Sequence, residues 1–197
     1  MSALLDFLFP TSCVVCGKPP SLVCAACLPS QTPQSEELSG YTLNYALDLD
    51  GAAELLITGY KDQMKLALAR TLARNLDAAA GQLEEIPGIL VFPPSSRANF
   101  ARRGFNPVEL VCKKSLVLQK VEVMPVKRKK QTLDQRSLAA AERRENLLGA
   151  FEIQPGRGDA LIVDDVVTTG ATVLALASAL EQAGYKVGGI CAIARRN

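Results

Sequence analysis

The sequence contains no histidine. That absence removes a common general base and a common zinc ligand. Acid–base chemistry must come from Asp, Glu, Lys, Tyr, Cys or the substrate itself, and any zinc site must be built from cysteine, with or without a carboxylate. Tryptophan is also missing and aromatic residues make up only 5%, which argues against a stacking platform for single strands of nucleic acid. No apolar run reaches the about 20 residues needed to cross a bilayer, so no membrane insertion is expected. Residues 1–10 carry Asp6 and lack a basic leading segment, unlike a secretory signal. A cytoplasmic protein is expected. Hydrophobic residues make up 48% and charged residues 21% of 197 positions, the composition of a globular chain with one ordinary domain and a small appendage.

Charge is the next informative property. The formal net charge is only +2, but residues 97–144 hold 13 Lys and Arg against 4 Asp and Glu. The basic middle suits an anionic ligand such as a polyphosphate or nucleic acid. A solvated basic face is the bland alternative.

Four of the six cysteines lie at Cys13, Cys16, Cys24 and Cys27. Two Cys-x2-Cys knuckles seven residues apart can close a tetrahedral site for structural zinc. Metal binding would replace the core that so short a segment cannot bury. Disulfides are the main alternative, disfavoured in a reducing cytosol, and an iron–sulfur cluster is another. Cys112 and Cys191 sit in apolar contexts and read as buried core thiols.

After the cysteines, residues 29–40 are rich in Ser, Gln, Pro and Glu and read as a linker. Residues 41–49 form a strand, and residues 52–80 a helical stretch broken near Gly59. Residues 88–92 read as a buried strand stopped by Pro93-Pro94. Residues 106–118 form a helix with Asn106 as N-cap and Pro107 at its first position. Residues 121–126 are a strand, 127–137 a mobile basic loop, and 139–146 a short helix. Residues 160–163 are a buried strand leading into a Thr/Gly turn and a helix over 170–183. A last strand covers 186–194. Strands alternating with helices imply a mostly parallel sheet covered on both faces, with ligands beyond the carboxyl ends of its strands.

Two segments fall at such ends. The first is Asp164-Asp165-Val166-Val167-Thr168-Thr169-Gly170-Ala171-Thr172. Its three hydroxyls, its flexible glycine and the following helix start suit a phosphate. The two carboxylates would repel a phosphate, so they suit the vicinal hydroxyls of a sugar, or a magnesium ion shared with one. The bland reading is a capped helix with acids near its positive end. The second segment, Pro93-Pro94-Ser95-Ser96-Arg97, offers backbone N–H groups and a guanidinium fork for a diphosphate, or is a surface turn. Arg102-Arg103-Gly104-Phe105 can extend it, or can equally be a charged helix approach packed by Phe105.

The first segment resembles the phosphoribosyl pyrophosphate loop of type I phosphoribosyltransferases. The resemblance implies that Asp164 and Asp165 contact the ribose hydroxyls and that residues Thr168 to Thr172 wrap the 5′-phosphate. It narrows to the ComF family (ComFC/GntX-like), linked to competence and DNA utilisation. The matching stretches are Arg97 with Arg102-Arg103-Gly104-Phe105-Asn106, residues 128–135, Glu142-Arg143-Arg144-Glu145-Asn146, Gly149-Ala150-Phe151 and the cysteines. Pro107 stands where the family commonly has Gln, and Lys130 where it usually has Arg; the two bases are not equivalent phosphate ligands.

The implied fold is a type I phosphoribosyltransferase-like, mostly parallel sheet flanked by helices over residues 41–197. A small zinc-ribbon-like module and linker would occupy residues 1–35. The implied ligand is phosphoribosyl pyrophosphate or a related phosphoribosyl group with magnesium. Pro94, Ser95, Ser96 and Arg97 would form the pyrophosphate loop, and Arg102, Arg103, Arg128 and Lys130 a basic set. Residues Lys127 to Thr132 resemble the mobile catalytic loop of those enzymes, which closes over the diphosphate; a solvated basic loop is the alternative. Nothing names the acceptor or a catalytic base. The alternatives are a competence accessory that binds single-stranded DNA within a DNA-uptake machinery, and a regulator that senses phosphoribosyl pyrophosphate.

Overall fold

The computed structural model describes residues 11–129 and 149–196. The strands are β1 (Gln34–Leu38), β2 (Tyr41–Asp48), β3 (Ile89–Val91), β4 (Glu122–Val123), β5 (Lys127–Arg128), β6 (Phe151–Glu152), β7 (Asp159–Val167) and β8 (Lys186–Arg195). The helices are α1 (Gly51–Lys61), α2 (Ala69–Ala80), α3 (Arg97–Arg103), α4 (Pro107–Cys112) and α5 (Ala171–Gln182). Six strands form one sheet in the order β1-β2-β8-β7-β3-β4. Only β1–β2 is antiparallel; the other four pairings are parallel.

Period-2 alternation assigns the two faces of the sheet. Leu161 and Val163 of β7 and Cys191 and Ile193 of β8 pack in one core with Leu56, Leu72, Leu76 and Val111 from α1, α2 and α4. Ala160, Ile162, Ile190 and Ala192 point the other way and meet Val173, Leu176 and Leu180 of α5. Apolar residues on both faces explain why these strands read as continuous hydrophobic runs. This is the mostly parallel, helix-flanked sheet that the sequence implied.

Several boundaries differ from expectation. Residues 34–38, expected within a linker, form β1. Ser39 and Gly40 both take positive φ, 52° and 89°, the two-residue turn whose twist suits an antiparallel hairpin. The helical stretch breaks after Lys61, close to Gly59 as expected. Gly59 is small because a Cβ there would lie 3.3 Å from Val14 Cγ1 and 3.4 Å from Leu68 Cδ1; the chain turns at Met64, with φ 56°. The helix from Pro107 ends at Cys112, not at residue 118. Asp77 of α2 draws the chain away, its carboxylate accepting from Ser115 Oγ and from the N–H groups of Leu116 (3.0 Å) and Val117 (3.3 Å). The strand expected over 121–126 is limited to β4. Lys127 and Arg128, expected in a mobile loop, pair with Glu152 and Phe151. Lys130, Thr132, the other loop residues after Lys129 and the helix expected over 139–146 lie outside the described residues.

Candidate functional site

β7 and β3 are parallel neighbours, with Val91 opposite Ile162. The segments that follow them, Pro93 to Arg97 and Asp164 to Thr172, therefore leave the same sheet edge side by side. The strand β7 runs further than expected and includes Asp164, Asp165, Val166 and Val167. The acid pair is thus held by a hydrogen-bonded ladder, and the turn proper is Thr168-Thr169-Gly170.

Gly170 caps α5 with φ 76°. The backbone angle favours glycine, and a Cβ here would lie 2.8 Å from Leu38 Cδ2, so the end of the Leu38 side chain would have to shift. The first amides of α5 have no partner within the helix, and Thr169 Oγ1 accepts weakly from Ala171 N at 3.4 Å. Asp164, Thr168, Thr169, Gly170, Ala171 and Thr172 help line a notch of about 40 Å³. A cavity needs at least about 10–15 Å³ to hold one water, so the notch has room for more than a single water-sized group.

The back of the turn is fastened by Arg195 at the end of β8. Its Nη1 donates to the carbonyl oxygens of Thr168, Val167 (3.4 Å) and Arg196 (3.0 Å), and its Nε lies 2.7 Å from Glu36 Oε1 on β1. Arg195 is therefore committed to the scaffold. Sequence reasoning missed this residue, because its partners are up to 159 positions away.

The two carboxylates of the acid pair have different surroundings. Asp164 accepts the Asp165 N–H at 2.8 Å. Burial first, and the Asp165 charge second, push its pKa up to about 8. Asp164 is among the residues that line the notch. Asp165 Oδ2 lies 2.8 Å from Lys61 Nζ at the end of α1, the distance of a charge-assisted hydrogen bond. Tyr60 Oη donates to the Pro107 carbonyl at 2.8 Å, and burial followed by the Asp165 charge raises its pKa. Lys61 was also missed; in sequence it is one lysine at the end of an amphipathic helix.

On the second segment, Ser96 Oγ accepts from Asn99 N at 3.2 Å and starts α3. A helix here was not expected. Arg97 is exposed in its first turn. Arg102 and Arg103 both bind Asp62 Oδ1, at 2.9 and 2.8 Å, and the Arg103 guanidinium, helped by Arg102, holds the Asp62 carboxyl below its usual range. Arg103 also donates to the Lys61 carbonyl at 3.0 Å. Arg128 lies away in the small two-stranded sheet, its guanidinium 5.8 Å above the Phe151 ring. Beside Pro94 and Ser95, an open cleft of about 520 Å³ is lined by Phe92, Phe100, Met124 and Val126.

The four N-terminal cysteines converge. All Sγ atoms lie within 4.8 Å of one another, and Cys16 and Cys24 are 3.7 Å apart. A tetrahedral ion with metal–sulfur bonds of about 2.3 Å holds its sulfurs about 3.8 Å apart. The donor set fits zinc: four soft sulfurs and no histidine. Backbone amides at Cys16 and Cys24 lower the Cys13 pKa to about 6, whereas hydrogen bonds to Cys24 and Cys16 push Cys27 up to about 12. Without a cation the cluster does not accommodate four thiolates; with one, it could. Val14, Leu22 and Val23 pack this module on the main core. Cys112 and Cys191 are buried thiols pushed up to about 12 by burial, as expected of core residues.

No family model matches the chain. Curated relatives do. The DNA utilization protein YhgH of Salmonella typhimurium is 32% identical over 180 residues, covering 87% of this chain and 78% of the relative. The chain belongs to the ComF family. Competence protein F of Haemophilus influenzae is 32% identical over 147 residues, 67% of this chain and 63% of that protein. The Escherichia coli K12 YhgH protein is 31% identical over 182 residues, 88% and 79%.

Solved structures similar to this ComF-family chain include two adenine phosphoribosyltransferases. That of Saccharomyces cerevisiae is 23% identical with a TM-score of 0.38, covering 68% of this chain and 71% of its own. That of Leishmania tarentolae is 12% identical with a TM-score of 0.44, covering 82% and 94%. Likeness this loose decides nothing about ligands; the α/β assignment of this ComF-family chain stands on its strand order. Among the described residues, no helix is long and apolar enough to cross a membrane.

Proposed function

We propose that this chain binds a 5-phosphoribosyl group, with phosphoribosyl pyrophosphate as the ligand class. The carrying observation is the juxtaposition on β7 and α5: an acid pair held in a strand, followed by a hydroxyl-rich turn that lines a small notch at the helix start. The 5′-phosphate would take amides and hydroxyls from Thr168 to Thr172. Asp164 and Asp165 would meet the sugar hydroxyls. The diphosphate would lie toward Pro94, Ser95, Ser96 and Arg97 on the adjacent edge, with magnesium bound chiefly by its phosphates, as that ion prefers. Magnesium would neutralise the leaving group. The chain's own part is to orient the sugar and, through Arg97, to balance charge on the diphosphate.

Four cysteine thiolates would hold structural zinc, with all positions filled and no role in transfer. A module around residues 1–35 and a phosphoribosyltransferase-like domain over 41–197 is the division this suggests, with β1 of the hairpin belonging to the larger sheet. A cytoplasmic setting suits four reduced thiols.

The test is thermal: phosphoribosyl pyrophosphate with magnesium should raise the melting temperature, and Asp164→Ala with Asp165→Ala should abolish the shift. No shift at millimolar ligand would sink the reading. Release of pyrophosphate across a panel of nucleophiles then separates an enzyme from a sensor.

A DNA-handling role is favoured by the relatives' names, DNA utilization and competence, and by exposed cations in the basic stretch, including Arg97, Lys113, Lys114 and Lys120. Single-stranded DNA binding that weakens with salt, and weakens further on changing Arg97 and Lys114, would support it.

A further inference from the structure

Lys61 has no part in the ligand set above, yet its ammonium lies 2.8 Å from Asp165 Oδ2, with the two side chains only 25% and 14% exposed. The end of α1 that carries it is pinned on several sides. Tyr60 Oη donates to the Pro107 carbonyl at 2.8 Å, and Arg103 Nε donates to the Lys61 carbonyl at 3.0 Å. Asp62 ties the next position to Arg102 and Arg103, and Val14 and Leu68 close on Gly59 from behind. A surface ion pair would hold a lysine loosely. Here the main chain that carries the lysine is fixed, and its ammonium meets Asp165.

We propose that Lys61 is the resident counter-cation of the sugar subsite, standing where a divalent ion would otherwise sit, so that Asp164 and Asp165 bind ribose hydroxyls without magnesium. This rests on the phosphoribosyl reading above. The charge balance supports it. Lys61 neutralises Asp165, and burial and the neighbouring charge push the Asp164 carboxyl up to about 8, toward its neutral form. A neutral Asp164 donates one hydrogen bond to a sugar oxygen, and the Asp165 carboxylate accepts from a sugar hydroxyl. A divalent ion beside Asp165 would have to displace the Lys61 ammonium or share its space, and like charges so close repel. Lys61 is thus a positioning residue, acting through Asp165. Magnesium that accompanies phosphoribosyl pyrophosphate then belongs to its diphosphate.

Ribose 5-phosphate, which lacks a diphosphate, isolates this subsite. Its affinity would be measured by titration calorimetry on the full chain, in magnesium-free buffer and with magnesium chloride. Chelator is omitted because it would attack the cysteine cluster. Wild type should bind within about threefold of the same affinity in both buffers, whereas Lys61→Met should lose about tenfold or more without magnesium and regain part of it with magnesium. Lys61→Arg, which keeps the cation, should remain independent of magnesium. A purely structural lysine would not create a magnesium requirement. Should Lys61→Met fail to fold, Lys61→Gln reads the same contrast. A wild type that needs magnesium, or a Lys61→Met variant that binds like wild type without it, overturns the inference and leaves the phosphoribosyl reading standing. A wild type that binds ribose 5-phosphate in neither buffer ends both.

Discussion

Replacing Gly170 by Ala tests the turn at the point where its geometry is most demanding. Two separate costs arise. At φ 76° an L side chain is in the left-handed region, worth about 1–2 kcal/mol. The added Cβ would also meet Leu38 Cδ2 at 2.8 Å and Cδ1 at 3.0 Å, and overpacking costs about 1–3 kcal/mol. Leu38 ends β1, whose main chain is held by its ladder to β2 and by the Glu36–Arg195 contact, so relief has to come from its side chain. The expected total is about 2–5 kcal/mol, read as a shift in the urea midpoint at unchanged slope. Combining Gly170→Ala with Leu38→Ala separates the parts, because removing Leu38 relieves the contact but not the backbone angle. The pair should therefore show a coupling of about 1–2 kcal/mol. A Gly170→Ala variant within about 0.5 kcal/mol of wild type would refute the reasoning.

Asp164 makes stability depend on pH. Its pKa rises on folding, so the folded chain holds a proton that the unfolded chain releases; the stabilisation is full below about pH 4 and is lost as pH rises toward about 8. Asp164→Asn should flatten that part of the curve and raise the melting temperature at pH 8, whereas an unchanged profile would contradict the burial of this carboxyl. Arg195→Met should cost about 1.5–3 kcal/mol by freeing Glu36 and the Thr168 carbonyl, and should weaken phosphate binding; unfolding curves and phosphate titrations together check it. Cobalt should replace the metal at the four cysteines and give thiolate charge-transfer absorbance, with Cys16→Ser reducing both the absorbance and the melting temperature. A purified chain that takes up neither zinc nor cobalt would contradict the site.

The sequence by itself determined the β/α alternation, the buried runs of β7 and β8, the four-cysteine set and the acid–hydroxyl–glycine string. Each is local: hydrophobic period, knuckle spacing and turn chemistry are written within a few consecutive residues. It was misleading where a residue's local habit was overridden by a distant partner. The polar stretch before Gly40 reads as a linker but forms β1, and Asp77 ends the helix after Cys112 from another element. Tertiary structure alone decided that Lys61 reaches Asp165, that Asp62 ties down Arg102 and Arg103, and that Arg195 fastens the turn. These are pairings of one charged side chain with another, or with a carbonyl, across tens of residues. No periodicity marks them, because a charge on a helix end or strand end looks like any solvated charge until the fold brings its partner within hydrogen-bond reach.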